Sequence, residues 1–255
     1  MKHLFARYSY PLISFTVVLI LWELASRLSG WSAQVFPGPT MVATGGVELL
    51  LNGKLLSDSV ASLYRVTVGF QLAVLIGVPL GIVLGRTDKL SKFISPLIQF
   101  LRPISPLAWI PLAMLWFGIG EKPAVFLIFL SCFFPLVTST VIAVLSIKPI
   151  YFQVASNFGF SRREVLFKVI FPSILPEIIT ALRMTIGIAW LVVVAAEMIA
   201  VQSGLGYLIL DSRNALRMDY VMVGMITIGV IGLALDYMMH RLSEIDEVKW
   251  RMLAS

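Results

Sequence analysis

Charged side chains inside long apolar stretches are the residues of this sequence with the clearest capacity for chemistry. A charge in hydrocarbon is unfavourable, so such residues pair with one another or line the path of an ion or substrate. Two roles stay open for them: structural ion pairs that fix helix register, or a function in gating or lining a pathway. We expect Arg65 to pair with Glu197 or Glu23. The full set is Arg65, Arg102, Arg183, Glu23, Glu177, Glu197 and Asp236.

The sequence contains no motif for covalent or metal-dependent catalysis. Its only Gly-Lys pair, Gly53-Lys54, is followed by leucine, so there is no phosphate-binding loop of the G-x-x-x-x-G-K-[ST] type. His3, His240 and the single cysteine, Cys132, are too scattered for a metal site. Neither a nucleophile elbow nor an H-E-x-x-H zinc motif occurs. The sequence therefore predicts that the chain is not an enzyme and carries no metal or cofactor of its own.

The composition indicates a protein that lies in a membrane. Of the 255 residues, 58% are hydrophobic and only 13% are charged. A soluble domain has about 45–50% apolar and about 25% charged residues, so this charge cannot cover the surface of a soluble globule of the same size. The composition excludes an ordinary cytosolic protein, a disordered chain and a secreted domain held by disulfides.

Six apolar segments are long enough to cross a membrane, since a spanning helix needs roughly 20 residues. We expect the first to be retained, because it is longer than a signal sequence and no cleavage site follows it. Prolines interrupt the third segment. The sequence thus predicts an all-α polytopic protein with about six transmembrane helices and a single domain over 1–255. The segments are 11–28, 61–85, 93–117, 123–146, 173–200 and 219–240.

The distribution of lysine and arginine orients these segments. With the N-terminus in the cytoplasm, twelve of the 20 basic residues lie inside and four lie outside, as the positive-inside rule expects. The inside set includes Lys2, Arg7, Lys249 and Arg251. Both termini and the connection 147–172 are therefore predicted to be cytoplasmic. The net charge of +6 then reflects topology and does not indicate a nucleic-acid partner.

The long cytoplasmic connection has helical signals of its own. Pro149 suits the first turn of a short helix, and Gly159 can take the left-handed conformation that ends one. Ser161 and Glu164 form the S-x-x-E pattern of a capping box at the start of a second short helix, which Pro172 is expected to end. The loop either rests on lipid headgroups or docks a cytoplasmic partner.

Two patterns within the spans concern helix packing and a transport path. Gly77, Gly81 and Gly85 lie four residues apart, which lets helices approach closely, either within the chain or at a dimer seam. The prolines of the third segment break the backbone, which a membrane tolerates only inside protein or along a cavity. We therefore expect Ser105 and Trp109 to line a pathway, with a kinked structural helix as the alternative.

The cytoplasmic loop resembles the coupling motif of ABC transporter permeases, E-A-A-x3-G-x9-I-x-L-P. This chain has Q-V-A at 153–155, then Gly159 after three residues and Pro172 at the matching distance. Stretches over most of the chain narrow the resemblance to permeases that import nitrate, sulfonate, taurine or bicarbonate. These stretches are LWELAS (21–26), FPGPTMV (36–42), SLYRVTVGFQLAVLIGVPLGIVLGR (62–86), RPISPLAWIPLAMLWFGIGE (102–121) and GIAWLVVVAAEMIAVQSGLGYLIL (187–210).

The resemblance implies a type I ABC importer (MetI-like) permease fold in the lipid of a bacterial inner membrane. Two permease copies would form the pore, two ATPase subunits that bind ATP and magnesium would sit beneath it, and a periplasmic or lipid-anchored binding protein would deliver the solute. The loop 149–172 would couple the pore to the ATPases. The implied coupling residues are Gln153, Ala155, Gly159, Ser161, Arg162, Arg163, Glu164 and Phe167, and the candidate pathway or gate residues are Arg102, Ser105, Trp109, Arg65 and Glu197.

A secondary transporter without an ATPase partner is the alternative function, and a non-transporting membrane scaffold is a third. A secondary transporter would have an inverted repeat and ion ligands at mid-membrane, and the sequence shows neither clearly. A capped cytoplasmic loop is useful to an ATPase-driven importer and not to a secondary carrier. The expected solute is small, an anion such as nitrate, bicarbonate, sulfonate or taurine.

Overall fold

The computed structural model describes residues 2–28, 30–32 and 34–243, and this part of the chain contains helices and no β-strand. The all-α prediction is confirmed. Lys249 and Arg251 lie outside the described residues, as do the side chains of Lys2 and Arg7, so the cytoplasmic placement of both termini stays a prediction. The described helices are α1 (Lys2–Leu28), α2 (Pro39–Leu51), α3 (Lys54–Arg86), α4 (Asp88–Leu101), α5 (Ile110–Phe117), α6 (Glu121–Leu145), α7 (Pro149–Asn157), α8 (Arg162–Glu164), α9 (Phe171–Ala200), α10 (Leu205–Asn214) and α11 (Met218–Ser243).

Four of the described helices are long and apolar enough to cross a membrane: α3, α6, the continuous helix 162–200, and α11. The bent pair of α4 and α5 would make a fifth if it counts as one span. The first predicted segment lies within α1 and is helical. The predicted total of about six spans is not confirmed by length and composition, and it stays a prediction.

The third predicted segment is broken, as its prolines indicate. Its two arms, α4 and a 3₁₀ turn (Pro106–Trp109) that leads into α5, are bent by 88°. Proline donates no backbone hydrogen bond and keeps the preceding residue out of the α conformation. Ser105, which precedes Pro106, accordingly has ψ of 131°. The local sequence is therefore sufficient to explain the break between α4 and α5.

The two central helices, α3 and α6, run side by side in the same direction. A Cβ atom at Gly81 would lie 2.5 Å from Thr140, and one at Gly85 would lie 2.7 Å from Val144. Contacts therefore advance by four residues along both helices, and a larger residue would push the helices apart. The glycine run packs within the chain, which leaves no room for a dimer seam at these glycines.

The second short helix of the loop does not end at Pro172, contrary to the prediction. It continues through a π-helical turn (Val165–Ile170) into α9. In that turn the Phe171 N–H bonds to the Leu166 carbonyl, five residues earlier. The wider turn gives the proline ring space that an α-helical turn lacks, where the ring would clash with the carbonyl four residues earlier. One continuous helix thus joins the loop to the fifth predicted span.

Replacing Gly81 by alanine should lower the free energy of unfolding by about 1–3 kcal/mol, because the added methyl group overpacks the contact with α6. Gly77 is the matched control. A Cβ there would lie 3.5 Å from Leu136, an ordinary contact, and alanine favours a helix over glycine by about 0.5–1 kcal/mol. Thermal unfolding of the detergent-solubilised protein measures both variants. Equal melting temperatures would contradict the close approach of α3 and α6.

Candidate functional site

A fully buried arginine organises one end of the helix bundle. Nη1 of Arg65 lies 2.5 Å from Oε1 of Glu197, and neither side chain has exposed surface. Nε and Nη2 of Arg65 donate to the two carboxylate oxygens of Glu121, the second at 2.8 Å. The main-chain carbonyl and the hydroxyl of Ser203 accept further bonds from Nη1 and Nη2. All three guanidinium nitrogens therefore donate to protein acceptors.

Polar side chains around this pair also hold the start of α10. The second oxygen of Glu197 accepts hydrogen bonds from the Ser62 hydroxyl and the Gly206 N–H, each at 2.9 Å. The N–H of Gly204 donates to Oδ1 of Asp58 at 3.0 Å. Backbone donors at a helix N-terminus have no partner within the helix, so these side chains satisfy them and attach α10 to α3 and α9.

The spacing of the sequence explains why these groups meet. Asp58, Ser62 and Arg65 recur at steps of four and three residues, which places them on one face of α3. Gly204 turns the chain with φ of +99°, and a Cβ atom there would overlap the carboxylate of Glu197. Only glycine fits both the conformation and the space at this position.

The structure confirms the predicted pairing of Arg65 with Glu197, and the alternative partner is wrong. Glu23 instead binds Arg27, one turn along α1, at 2.6 Å. Arg65 and Glu197 are fully buried and join helices here, and a role for them in gating stays a prediction. Glu121 escapes a search confined to charges inside apolar segments, since it is the first residue of α6. Its position just before an apolar run is the signal that could have found it.

The other charges predicted within spans form one pair and leave two residues unpaired. Arg183 and Asp236 make a two-pronged ion pair between α9 and α11, with distances of 3.0 and 3.1 Å. Across the described part of the chain, Arg102 and Glu177 have no ion-pair partner. Both side chains are exposed on the surface of this chain.

A cavity of about 210 Å³ opens at the break between α4 and α5. Arg102 and Trp109 line one side of it, and Ser131 of α6 and Ile188 of α9 line the other. Ser105 is exposed but does not line this cavity. The structure thus brings two of the three candidate pathway residues of the broken segment together.

The loop 147–172, at the opposite end of the bundle, has the local structure that its sequence predicts. Gly159 adopts φ of +68° after α7, and the Phe160 N–H bonds to the Ala155 carbonyl at 2.9 Å. Ser161 and Glu164 form a capping box with both reciprocal bonds present. The turn between α7 and α8 is therefore held by backbone and side-chain bonds together.

Side chains of the predicted coupling set divide into packed and exposed groups. Ala155 is buried, and Glu164 is half-buried and binds Lys168 at 2.8 Å. The Arg86 guanidinium at the end of α3 lies 4.4 Å from the ring centre of Phe152, which ties α7 to the bundle. The exposed members of the set, which are available to a partner, are Gln153, Gly159, Ser161, Arg162, Arg163 and Phe167.

Ion pairs of Arg217 with Asp219 and Glu48 connect α2 and α11 at the end of the bundle that holds Arg65. Arg217 binds Asp219 at 2.8 Å and Glu48 at 3.2 Å, and it lies 3.8 Å from the ring centre of Tyr220. A hydrogen bond with Tyr220, followed by one from Arg217, lowers the pKa of the Glu48 carboxyl from its ordinary value. The carboxylate of Glu48 is therefore ionised at neutral pH.

Comparison with known proteins places this arrangement in a family. Residues 77–245, about two thirds of the chain, match the family described as binding-protein-dependent transport system inner membrane components. The chain belongs to this family. The matched region of this permease includes the cavity, the loop 149–172, α9 and α10.

Several proteins named as transport permeases are similar over most of the chain. A putative ABC transporter permease of Methanocaldococcus jannaschii is 43% identical over 74% of this chain and 71% of its own length. The taurine transport system permease protein of Escherichia coli is 35% identical over 86% and 82% of the two chains. The nitrate import permease protein of Synechocystis is 33% identical over 89% and 84%.

A solved structure confirms the fold. A chain of the MetNI methionine ABC transporter, in an inward-facing conformation, superposes with a TM-score of 0.59 and 18% identity. The superposition covers 75% of this permease and 97% of that chain. The MetI-like fold implied by the sequence is therefore the observed one.

Replacing Arg65 by methionine should lower the free energy of unfolding by about 3–5 kcal/mol, because Glu197 would stay buried without a cation. Arg27→Met is the matched control, and it should cost less than about 1 kcal/mol, since the Arg27 side chain is 73% exposed. Accumulation in the membrane and thermal unfolding measure both. The double variant Arg65→Met/Glu197→Met should regain part of the loss. A wild-type melting temperature for Arg65→Met would show that the buried pair does not stabilise the bundle.

Proposed function

We propose that this permease is the membrane-spanning subunit of an ATP-driven importer for a small solute that carries an oxyanion group. Two identical copies form the pore, and two ATPase subunits that bind ATP and magnesium engage the loop end of the bundle. An external binding protein delivers the solute at the end that holds Arg65. The complex lies in a bacterial inner membrane, and both termini of the permease face the cytoplasm.

The class of solute is supported by the names of the relatives. The relatives that are named for a solute include a taurine transport permease and a nitrate import permease. Taurine carries a sulfonate group and nitrate is itself an oxyanion, so a common chemistry links them. The absence of a catalytic motif in the sequence agrees with a chain that passes a solute without altering it.

The coupling loop is the observation on which the ATPase partner rests. Phe167, Arg162 and Arg163 are exposed on a turn that the capping box of Ser161 and Glu164 stiffens. An exposed aromatic residue beside basic residues on short helices suits insertion into a groove of a partner protein. A secondary transporter would have no use for such an element.

The helix that follows the loop is suited to transmit a displacement of the loop to the opposite end of the bundle. Residues 162–200 form one continuous helix of 39 residues, about 58 Å long at 1.5 Å per residue. Its far end carries Glu197, which the buried cluster attaches to α3 and α10. A displacement of the loop is therefore carried as a rigid body to the end where the binding protein would dock.

Purification of the tagged permease from its native membranes in mild detergent tests this assignment. Mass spectrometry of the purified complex should find an ATPase at one copy per permease. Reconstituted with that ATPase and its binding protein, the complex should accumulate nitrate, bicarbonate or taurine in an ATP-dependent manner. A permease that purifies alone and transports by itself when reconstituted would instead be a secondary carrier.

Replacing Gly159 by valine should leave the permease in the membrane but abolish ATP hydrolysis that depends on the binding protein. The φ of +68° at Gly159 is unfavourable for a β-branched residue, and nothing lies within 4 Å of its Cβ position, so backbone strain alone is tested. Gly159→Asn is the matched control, because asparagine tolerates this conformation, and it should keep most of the activity. Normal coupling in Gly159→Val would show that the loop does not need this turn.

A further inference from the structure

The two ends of the bundle are separated by about the thickness of the membrane hydrocarbon. The Gly120 N–H bonds to the Ala200 carbonyl at 3.1 Å, so α6 begins where α9 ends, at the level of the buried cluster. On α3, Arg65 at this level and Arg86 at the loop are 21 residues apart, or about 31 Å. The hydrocarbon core of a bilayer is about 30 Å thick.

The cavity beside Arg102 lies halfway between these ends. Ser131 in its α6 wall follows Glu121 by ten residues, which is about 15 Å of helix. Ile188 in its α9 wall precedes Ala200 by twelve residues, about 18 Å. Along two independent helices the cavity thus lies about 15–18 Å from the cluster end, which is about half of the 30 Å thickness of the hydrocarbon core. An extended arginine side chain does not reach that far, so lipid phosphate cannot neutralise Arg102.

No carboxylate among the described residues can neutralise Arg102 within the chain. Three of them lack an ion pair: Asp88, Glu177 and Asp211. Asp88 begins α4 at the loop end, and Asp211 lies on α10 at the cluster end. Glu177 precedes Ala200 by 23 residues, about 35 Å, and so lies at the loop end as well.

A second copy of the permease would not supply the missing charge either. If the two copies are related by a two-fold axis along the membrane normal, each residue lies at the same membrane depth in both copies. The interface between them is then formed by the same surface patch of each copy. At the depth of Arg102 the partner therefore offers its own Arg102 and none of the three unpaired carboxylates. Two arginines at one level repel each other, which increases the need for an anion between them.

The surroundings of Arg102 suit a small anion. Arg102, Trp109 and Ser131 line the cavity together with apolar side chains, and no carboxylate lines it. Its volume of about 210 Å³ is below the about 300–1,000 Å³ of sites for drug-sized ligands. A water molecule takes about 30 Å³, so the space suits a small ion with a few waters.

We propose that the Arg102 guanidinium is the countercharge of a transit site, at the middle of the membrane, for the oxyanion group of the transported solute. The inference rests on the proposed function and names the residue that recognises the solute's charge inside the membrane. A charge in hydrocarbon without a protein partner marks an ion or substrate path. A guanidinium is also suited to it, because its planar donors match the oxygens of an oxyanion.

Uptake by the complete reconstituted importer tests this site, with labelled nitrate, bicarbonate and taurine as probes. Arg102→Gln should lower uptake of the accepted anion at least tenfold while ATP hydrolysis stimulated by the binding protein persists. Lys92→Gln, which removes a positive charge from the loop end of α4, is the matched control and should transport as the wild type does. Arg102→Lys should keep a large part of the uptake because it keeps the charge. Wild-type uptake by Arg102→Gln would overturn the proposal.

Chemical replacement of the charge separates recognition from packing. Arg102→Cys should regain uptake when an aminoethyl methanethiosulfonate adds an ammonium group, and should not regain it with the sulfonatoethyl reagent. The wild-type complex is treated in parallel, since the only native cysteine of this chain, Cys132, is buried. Equal effects of the two reagents, or no reaction at residue 102 in any state, would overturn the proposal.

The melting temperature of Arg102→Gln provides a readout that does not depend on transport. Removing an unpaired charge from hydrocarbon should leave the melting temperature unchanged or raise it. A decrease like that expected of Arg65→Met would reveal a structural partner and overturn the proposal.

If the wild-type complex binds its ATPase but accumulates none of the three anions, the proposed solute class fails. If it accumulates one and Arg102→Gln does so equally, only the transit site fails.

Discussion

A guanidinium with no exposed surface needs anions around it, because its desolvation in a membrane bundle is opposed only by close pairing and complete hydrogen bonding. Arg65 meets this requirement with Glu197 from α9, Glu121 from α6 and Ser203 from the turn before α10. The three partners come from different elements, so neutralising one charge brings those elements to α3. The helices cannot separate at this end without leaving an unpaired charge.

Close packing of α3 against α6, next to the buried cluster, brings Arg65 within hydrogen-bond distance of Glu121. Gly69 lies one turn along α3 from Arg65, and a Cβ there would lie 2.7 Å from Ile128 of α6. Glu121 begins α6 almost two turns before Ile128. The small residue on α3 thus lets α6 come close enough for its first carboxylate to meet the guanidinium. Packing and electrostatics therefore depend on each other: a bulky residue at Gly69 would pull the ion pair apart.

Short-range features of this fold can be predicted from sequence, and long-range ones are harder. The capping box of Ser161 and Glu164 follows from two residues three apart, and the break after Leu101 follows from Pro103 and Pro106. The partner of Arg65 on α9 is predictable because few carboxylates lie in apolar segments. The sequence can point to Glu121 as a carboxylate at the start of an apolar run, but its pairing with Arg65 depends on the parallel register of α3 and α6, which no local pattern gives. The continuation of the helix through Pro172 depends on a π-helical turn that no local propensity signals.

The two arginines Arg65 and Arg102 show how one residue type takes opposite roles within a membrane protein. Arg65 is surrounded by acceptors that rigid helices present, so it can exchange no partner without moving α6 or α9. Arg102 follows α4 at a backbone break, beside a cavity that offers no acceptor charge. A fully satisfied charge fixes helices, whereas an unsatisfied one is free to bind and release a passing anion. Since the continuous helix 162–200 contributes Glu197 to the first site and Ile188 to the wall of the second, motion of its loop end acts on both together.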